Sequence, residues 1–152
     1  MKSSSYNKSK KNVYFAFSGD NLNSAHINLL IKSNKLGNVI VGLLTDKAIN
    51  EYKDIPLLKY SQREIIINNL KFINKVVPQE DASYIKNLRK YKPDYVVHGD
   101  DWKKGVLKKY RDEVLKELSK YGGKLVEYPY AKNIKYENLG TKRNIHELIS
   151  GR

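Results

Sequence analysis

Two short polar segments of this chain carry the residue types that catalysis and anion binding use. The first runs Ser18-Gly19-Asp20-Asn21-Leu22-Asn23-Ser24-Ala25-His26, and the second is His98-Gly99-Asp100-Asp101-Trp102. In the first, His26 falls at the start of a helix, where backbone N–H groups and the helix dipole attract phosphate. Near pH 7 an imidazole donates a hydrogen bond, or carries a positive charge, as negative charge builds on a leaving phosphate. The alternative is a histidine packed on the helix or bonded to a backbone carbonyl, and spacing alone leaves both open.

These segments have to be positioned by the apolar runs around them. Val13 to Phe17 reads as a buried strand closed by the Ser18-Gly19-Asp20 turn. A helix follows, with Ala25, Leu29, Leu30 and Ile31 near helical spacing up to Gly37, and Val39 to Leu44 is a second continuous apolar strand. Tyr60 to Glu64 opens a helix through Ile65, Ile66, Ile67 and Leu70, and Ile73 to Pro78 gives a third strand. A helix from Ser83 to Tyr91 stops before Pro93, Tyr95 to His98 is a fourth strand, Lys103 to Tyr121 a long helix ended by Gly122-Gly123, and Lys124 to Tyr128 a fifth strand. Strands alternating with helices, and apolar without a break, predict an α/β fold: a three-layer Rossmann-like domain with a five-stranded parallel sheet. Ligands in such folds sit beyond the carboxyl ends of the strands, where both polar segments fall.

The chain of 152 residues suits one domain of this kind. Residues 1–11 read as a flexible basic leader, 12–130 as the domain, and 131–152 as a C-terminal loop with a short helix near Arg143 to Ile149. With no cysteine, disulfides and thiolate metal sites are excluded. No apolar run approaches the roughly 20 residues that cross a bilayer, and the polar start lacks a secretory h-region, so no membrane and a cytoplasmic location are expected. The 29 Lys and Arg against 16 Asp and Glu give a net charge of +13 and favour anionic partners. Lys2, Lys8, Lys10 and Lys11 in the leader hold four of those charges, and the other lysines are scattered among many Asn, Ile and Tyr. Compositional drift explains much of that excess, and nucleic acid is not the expected partner.

Three segments, FSGDNLNSAHINLL, YKDIPLLKYSQR and VVHGDDW, resemble the nucleotidyltransferase superfamily that includes glycerol-3-phosphate and phosphocholine cytidylyltransferases. The first is similar to the superfamily's F-D-x-x-H-x-G-H signature. The set is most similar to the cytidylyltransferase domain appended to some phosphoenolpyruvate mutases of phosphonate biosynthesis. The resemblance implies attack by a phosphate or phosphonate oxygen on the α-phosphate of CTP, with release of pyrophosphate and help from Mg²⁺. It implies His26, Lys53 and Arg63 as the catalytic, phosphate-contacting residues. Phe17, Ser18, Gly19, Asp20, Asn23, His26, Gly99, Asp100 and Trp102 become the nucleotide-binding set, with Asp100 beside ribose and base. Trp102 would support that loop, or simply anchor the core. A homodimer is implied as well.

The signature is altered in places. Its first histidine falls on Asn23, which cannot carry a positive charge or shuttle a proton, and its glycine falls on Ala25. The superfamily's later I-S-S/T-T-K-like segment corresponds to Asn133 to Glu137, without its hydroxyls, and Thr141-Lys142 is a displaced remnant. The expected function is a cytidylyltransferase that uses a phosphorylated alcohol or a phosphonate. Two alternatives stay open, a noncatalytic nucleotide-binding homologue and a nucleotidyltransferase that uses ATP.

Overall fold

The computed structural model describes residues 6–53 and 55–130 of the protein. The expected C-terminal segment 131–152, with its short helix and the Asn133 to Glu137 and Thr141-Lys142 stretches, lies outside the described residues, as do residues 1–5 of the leader.

Five strands form one sheet in the order β3-β2-β1-β4-β5, every pair parallel. They are β1 (Asn12–Phe17), β2 (Asn38–Leu44), β3 (Lys75–Gln79), β4 (Tyr95–Gly99) and β5 (Lys124–Tyr128). The helices are α1 (Ser24–Leu36), α2 (Asp46–Asn50), α3 (Tyr60–Asn68), α4 (Ile85–Tyr91) and α5 (Lys108–Ser119). Continuous apolar runs make these strands because both faces are covered, and all of β2 is buried. Val13 and Phe15 pack with Leu29, Leu30 and Ile67 of α1 and α3 on one face. Tyr14 and Ala16 pack with Ile49, Leu88, Val114 and Leu118 of α2, α4 and α5 on the other. The predicted three-layer α/β domain is therefore the one observed.

The chain runs outward from β1 to β3 and returns to place β4 on the other side of β1. That reversal opens a crevice at the carboxyl ends of β1 and β4.

Several boundaries differ from the sequence expectation. The long helix expected from Lys103 begins at Lys108, because Gly105 takes a left-handed φ of 76° and divides the segment into two 3₁₀ turns, Asp100–Trp102 and Gly105–Leu107, ahead of α5. Helix α2 was not expected. It is one short turn capped by Thr45, whose hydroxyl accepts from the Ala48 N–H, and five residues show no readable periodicity. The third strand starts two residues late, at Lys75, since the Asn74 side chain turns back to accept the Val39 N–H. The leader expected to be flexible through residue 11 is tied to β2, where Asn7 and Asn38 exchange hydrogen bonds of 2.9 and 2.7 Å.

Candidate active site

A cavity opens over the carboxyl ends of the strands. Phe17 and Ser18 line it from the end of β1, His26 from α1, Lys53 from the segment after α2, and Gly99 and Trp102 from the end of β4. Six of the residues named from the sequence thus meet in one place.

His26 owes its pose to the start of α1. Asn23 is the N-cap, and its side-chain oxygen accepts from the N–H groups of Ala25 (3.0 Å) and His26 (3.4 Å). In return, the His26 Nδ1 accepts from the Asn23 N–H at 3.3 Å. That bond assigns the ring proton to Nε2. Burial, and then the positive charge of Lys53, pushes the His26 pKa below its usual 6.5. At neutral pH the ring is therefore an uncharged donor, and Lys53 is the cation. No acidic side chain lies in the first turn of α1 to oppose an anion.

Trp102 is 1% exposed and forms the floor. Its Nε1 donates to Glu127 at 2.9 Å, and Arg111 holds the same carboxylate through two hydrogen bonds. Core anchorage and support of the loop, posed as alternatives, coincide. His98 stacks flat on the indole and its Nδ1 donates to the Gly99 carbonyl at 2.8 Å, which leaves the Nε2 lone pair unprotonated. Burial lowers the His98 pKa, so its 3.6 Å approach to Asp101 is not an ion pair at neutral pH.

Five of the residues named from the sequence are not in the cavity wall. Arg63 is corrected most: its guanidinium is fully buried and bonds the carbonyls of Leu58, Ser18 and Leu44 and the Asp46 carboxylate. It clasps the ends of β1 and β2 together instead of reaching for a phosphate. Asp20 accepts from the N–H groups of Leu57 and Leu58, both at 2.9 Å, and so anchors a loop. The Asn23 side chain is occupied by its capping bonds. Gly19 supplies the left-handed turn after β1, at φ 65°. Asp100 accepts from the Tyr130 N–H at 3.0 Å, while its neighbour Asp101 lines the cavity.

Sequence reasoning missed Gln79, Tyr52, Tyr84 and Tyr130 in the wall, and did not single out His98 and Asp101 within VVHGDDW. The last two were within reach, for they sit in a polar segment that follows a strand. The others follow no motif. Among the described residues Asp101 is the one carboxylate in the wall, and no group of three or more His, Asp or Glu able to hold a metal occurs. The donor set fits an ion such as Mg²⁺ held chiefly by substrate phosphates, with a single protein carboxylate. No helix among the described residues is long and apolar enough to cross a membrane.

The chain is similar to several known proteins. Over 80 residues the chain is 32% identical to the glycerol-3-phosphate cytidylyltransferase of Bacillus spizizenii, covering 51% of this chain and 62% of that protein. It is 34% identical over 80 residues to a probable ethanolamine-phosphate cytidylyltransferase of Schizosaccharomyces pombe, half of this chain but 21% of that one. With an FAD synthase of Methanosarcina mazei, identity is 27% over 80% of this chain and 79% of the relative. The fold is shared with a lipopolysaccharide core biosynthesis protein of Thermoplasma volcanium, at a TM-score of 0.66 and 23% identity over 81% of this chain and 98% of that one. A family model described as Cytidylyltransferase-like matches residues 20–142, and the chain belongs to that family.

Proposed function

We propose that the cavity transfers a nucleotidyl group, CMP from CTP in the leading reading, to a phosphorylated alcohol or a phosphonate. The observation that carries this reading is the pairing of His26, a neutral donor at the start of α1, with the cation of Lys53 in one cavity. An acceptor oxygen attacks the α-phosphorus, the bond to the bridging oxygen breaks, and pyrophosphate leaves. Such a step needs alignment of two anions and stabilisation of the charge that builds between them. Lys53 offsets that charge, and the Nε2–H of His26 donates to a phosphate oxygen. Asp101 would hold a Mg²⁺ ion, which would supply further neutralisation of the phosphates. Trp102, held by Glu127, which Arg111 holds in turn, keeps the floor rigid beneath the reacting groups.

The similarity to an FAD synthase, whose product contains an adenylyl group, favours ATP as the second donor to test. Calorimetric titration with CTP and with ATP, each with Mg²⁺ and repeated on His26→Ala, decides between them. A CTP preference that weakens in His26→Ala supports the leading reading, and an ATP preference replaces the donor. Binding of either nucleotide without pyrophosphate release from any phosphorylated or phosphonate acceptor makes the protein a noncatalytic homologue. A homodimer belongs to the same proposal. The exposed Ile55, Leu57, Ile65 and Ile66, on and just before α3, are the apolar side chains it would cover. A monomeric sedimentation profile removes it.

A further inference from the structure

Gln79, the last residue of β3, is 1% exposed and lines the cavity, yet its side-chain nitrogen has no hydrogen-bond partner among the described residues. A buried donor left unpaired costs about 1–3 kcal/mol, so the amide is either turned the wrong way or donates to a group from outside the chain, a water or a ligand that displaces it. A chain of bonds starting at a backbone carbonyl settles the orientation. Asn87 donates through Nδ2 to the Pro78 carbonyl, which can only accept, and through the same nitrogen to the Tyr14 hydroxyl oxygen, both at 2.9 Å. The Tyr14 hydroxyl then gives its own proton to Gln79 Oε1 at 2.5 Å. Burial raises the Tyr14 pKa, so that proton is present at any ordinary pH. Exchanging the oxygen and nitrogen of Gln79 would set an N–H against a hydroxyl that already holds a donor, and would strand the Tyr14 proton in the core. The nitrogen is therefore the free end.

Its place in the sheet says what it can meet. His26, Gly99 and Tyr130 lie at the β1 and β4 end of the cavity, Gln79 and Tyr52 lie toward β2 and β3, and the Tyr84 ring stands between them, 5.6 Å from Trp102 and 6.1 Å from Tyr14. An acceptor whose phosphorus end sits at His26 and Lys53 extends its organic end along the tyrosines toward Gln79. We propose that Gln79 selects the acceptor, its amide N–H donating to an oxygen on the organic part, so that hydroxyl-bearing acceptors are taken in preference to ammonium-bearing ones. An ammonium group has only N–H donors and meets another donor there. This inference rests on the transfer reading above.

The test compares glycerol 3-phosphate and 2-hydroxyethylphosphonate with phosphoethanolamine and 2-aminoethylphosphonate, using CTP and Mg²⁺, by pyrophosphate release and by binding titration. Wild type is expected to favour the hydroxyl compounds by about tenfold or more in kcat/KM. Gln79→Glu still accepts the Tyr14 proton and offers a carboxylate to ammonium, so it shifts the ratio toward the amines by about tenfold. Gln79→Leu brings the ratio close to one. A wild-type preference for the amines overturns the proposal, as does a ratio that Gln79→Glu leaves unmoved. The second outcome is also expected if the nitrogen instead serves the separate polar depression that Gln79 borders with Pro78 and Asn87. Selective binding of the hydroxyl compounds without turnover of any acceptor defeats the transfer reading and sustains the selection. Absence of both binding and turnover defeats both.

Discussion

The rings of His98 and Trp102 stack with centroids 3.7 Å apart and planes 5° from parallel. The histidine is thereby held against a buried indole, and the indole is held by Glu127. Trp102→Ala is expected to lower unfolding free energy by about 3–5 kcal/mol, the range for an emptied aromatic site. Trp102→Phe keeps a ring under His98 and removes one hydrogen bond, for a loss of about 1 kcal/mol. Denaturant titration of both variants checks the difference, and equal losses would contradict this account of the floor.

Arg63 is a clasp whose replacement leaves the carbonyls of Ser18 and Leu44 without their donor. Arg63→Lys keeps the charge but not the planar fork, and is expected to destabilise by about 3 kcal/mol or more. If urea unfolding shows Arg63→Lys to be as stable as wild type while triphosphate affinity falls, Arg63 contacts phosphate after all.

Acid should weaken the fold before any carboxylate titrates. His26 and His98 both have pKa values pushed below 6.5 by burial. The unfolded chain therefore binds more protons than the folded one in the window below about 6.5, so stability is fully present above that pH and is lost as pH falls. The low pKa of Glu117, held at about 2 by hydrogen bonds from Arg89 and then Lys120, acts further down, below its usual 4.5. Melting temperature is expected to drop between about pH 7 and pH 5, and to drop less in His98→Asn and His26→Gln. Slopes identical to wild type in both variants would show that neither ring contributes.

Asn23 occupies the N–H groups of Ala25 and His26 that would otherwise point at a phosphate. Asn23→Ala is expected to cost about 1 kcal/mol of stability through the lost cap, while Asn23→Gly costs only a few tenths. The glycine variant also frees those donors, so it should bind triphosphate more tightly than wild type in calorimetry. Weaker binding would mean that the carboxamide itself touches the nucleotide.

The sheet was legible because burial on both faces removes the alternation that makes strands ambiguous, as in Val39 to Leu44. Helix α5 was misjudged at its start, because apolar spacing continues across Gly105 while the backbone does not. At the site, His26, Lys53 and Trp102 could be named from motif and position. Arg63 and Asp20 lie in equally good motifs, but their partners, Ser18 and Leu44 for one and Leu57 and Leu58 for the other, lie up to 45 residues away and exist only after folding. Gln79 had no signature at all. A glutamine beside a proline at a strand end is unremarkable until Tyr14, itself bonded by Asn87, donates to it.

The two bonds from Asp20 to Leu57 and Leu58 have a consequence for Lys53. On one side of this lysine its own N–H is fixed to the Ile49 carbonyl at 2.9 Å, and a few residues beyond it the chain is moored to the end of β1. The lysine thus rides on a short bridge secured at both banks. Drawing its ammonium onto an incoming anion requires side-chain rotation, with little loss of backbone freedom. Cutting one mooring with Asp20→Ala would turn the bridge into a loose rope, and affinity for any polyphosphate would fall without the loss of a single ligand contact.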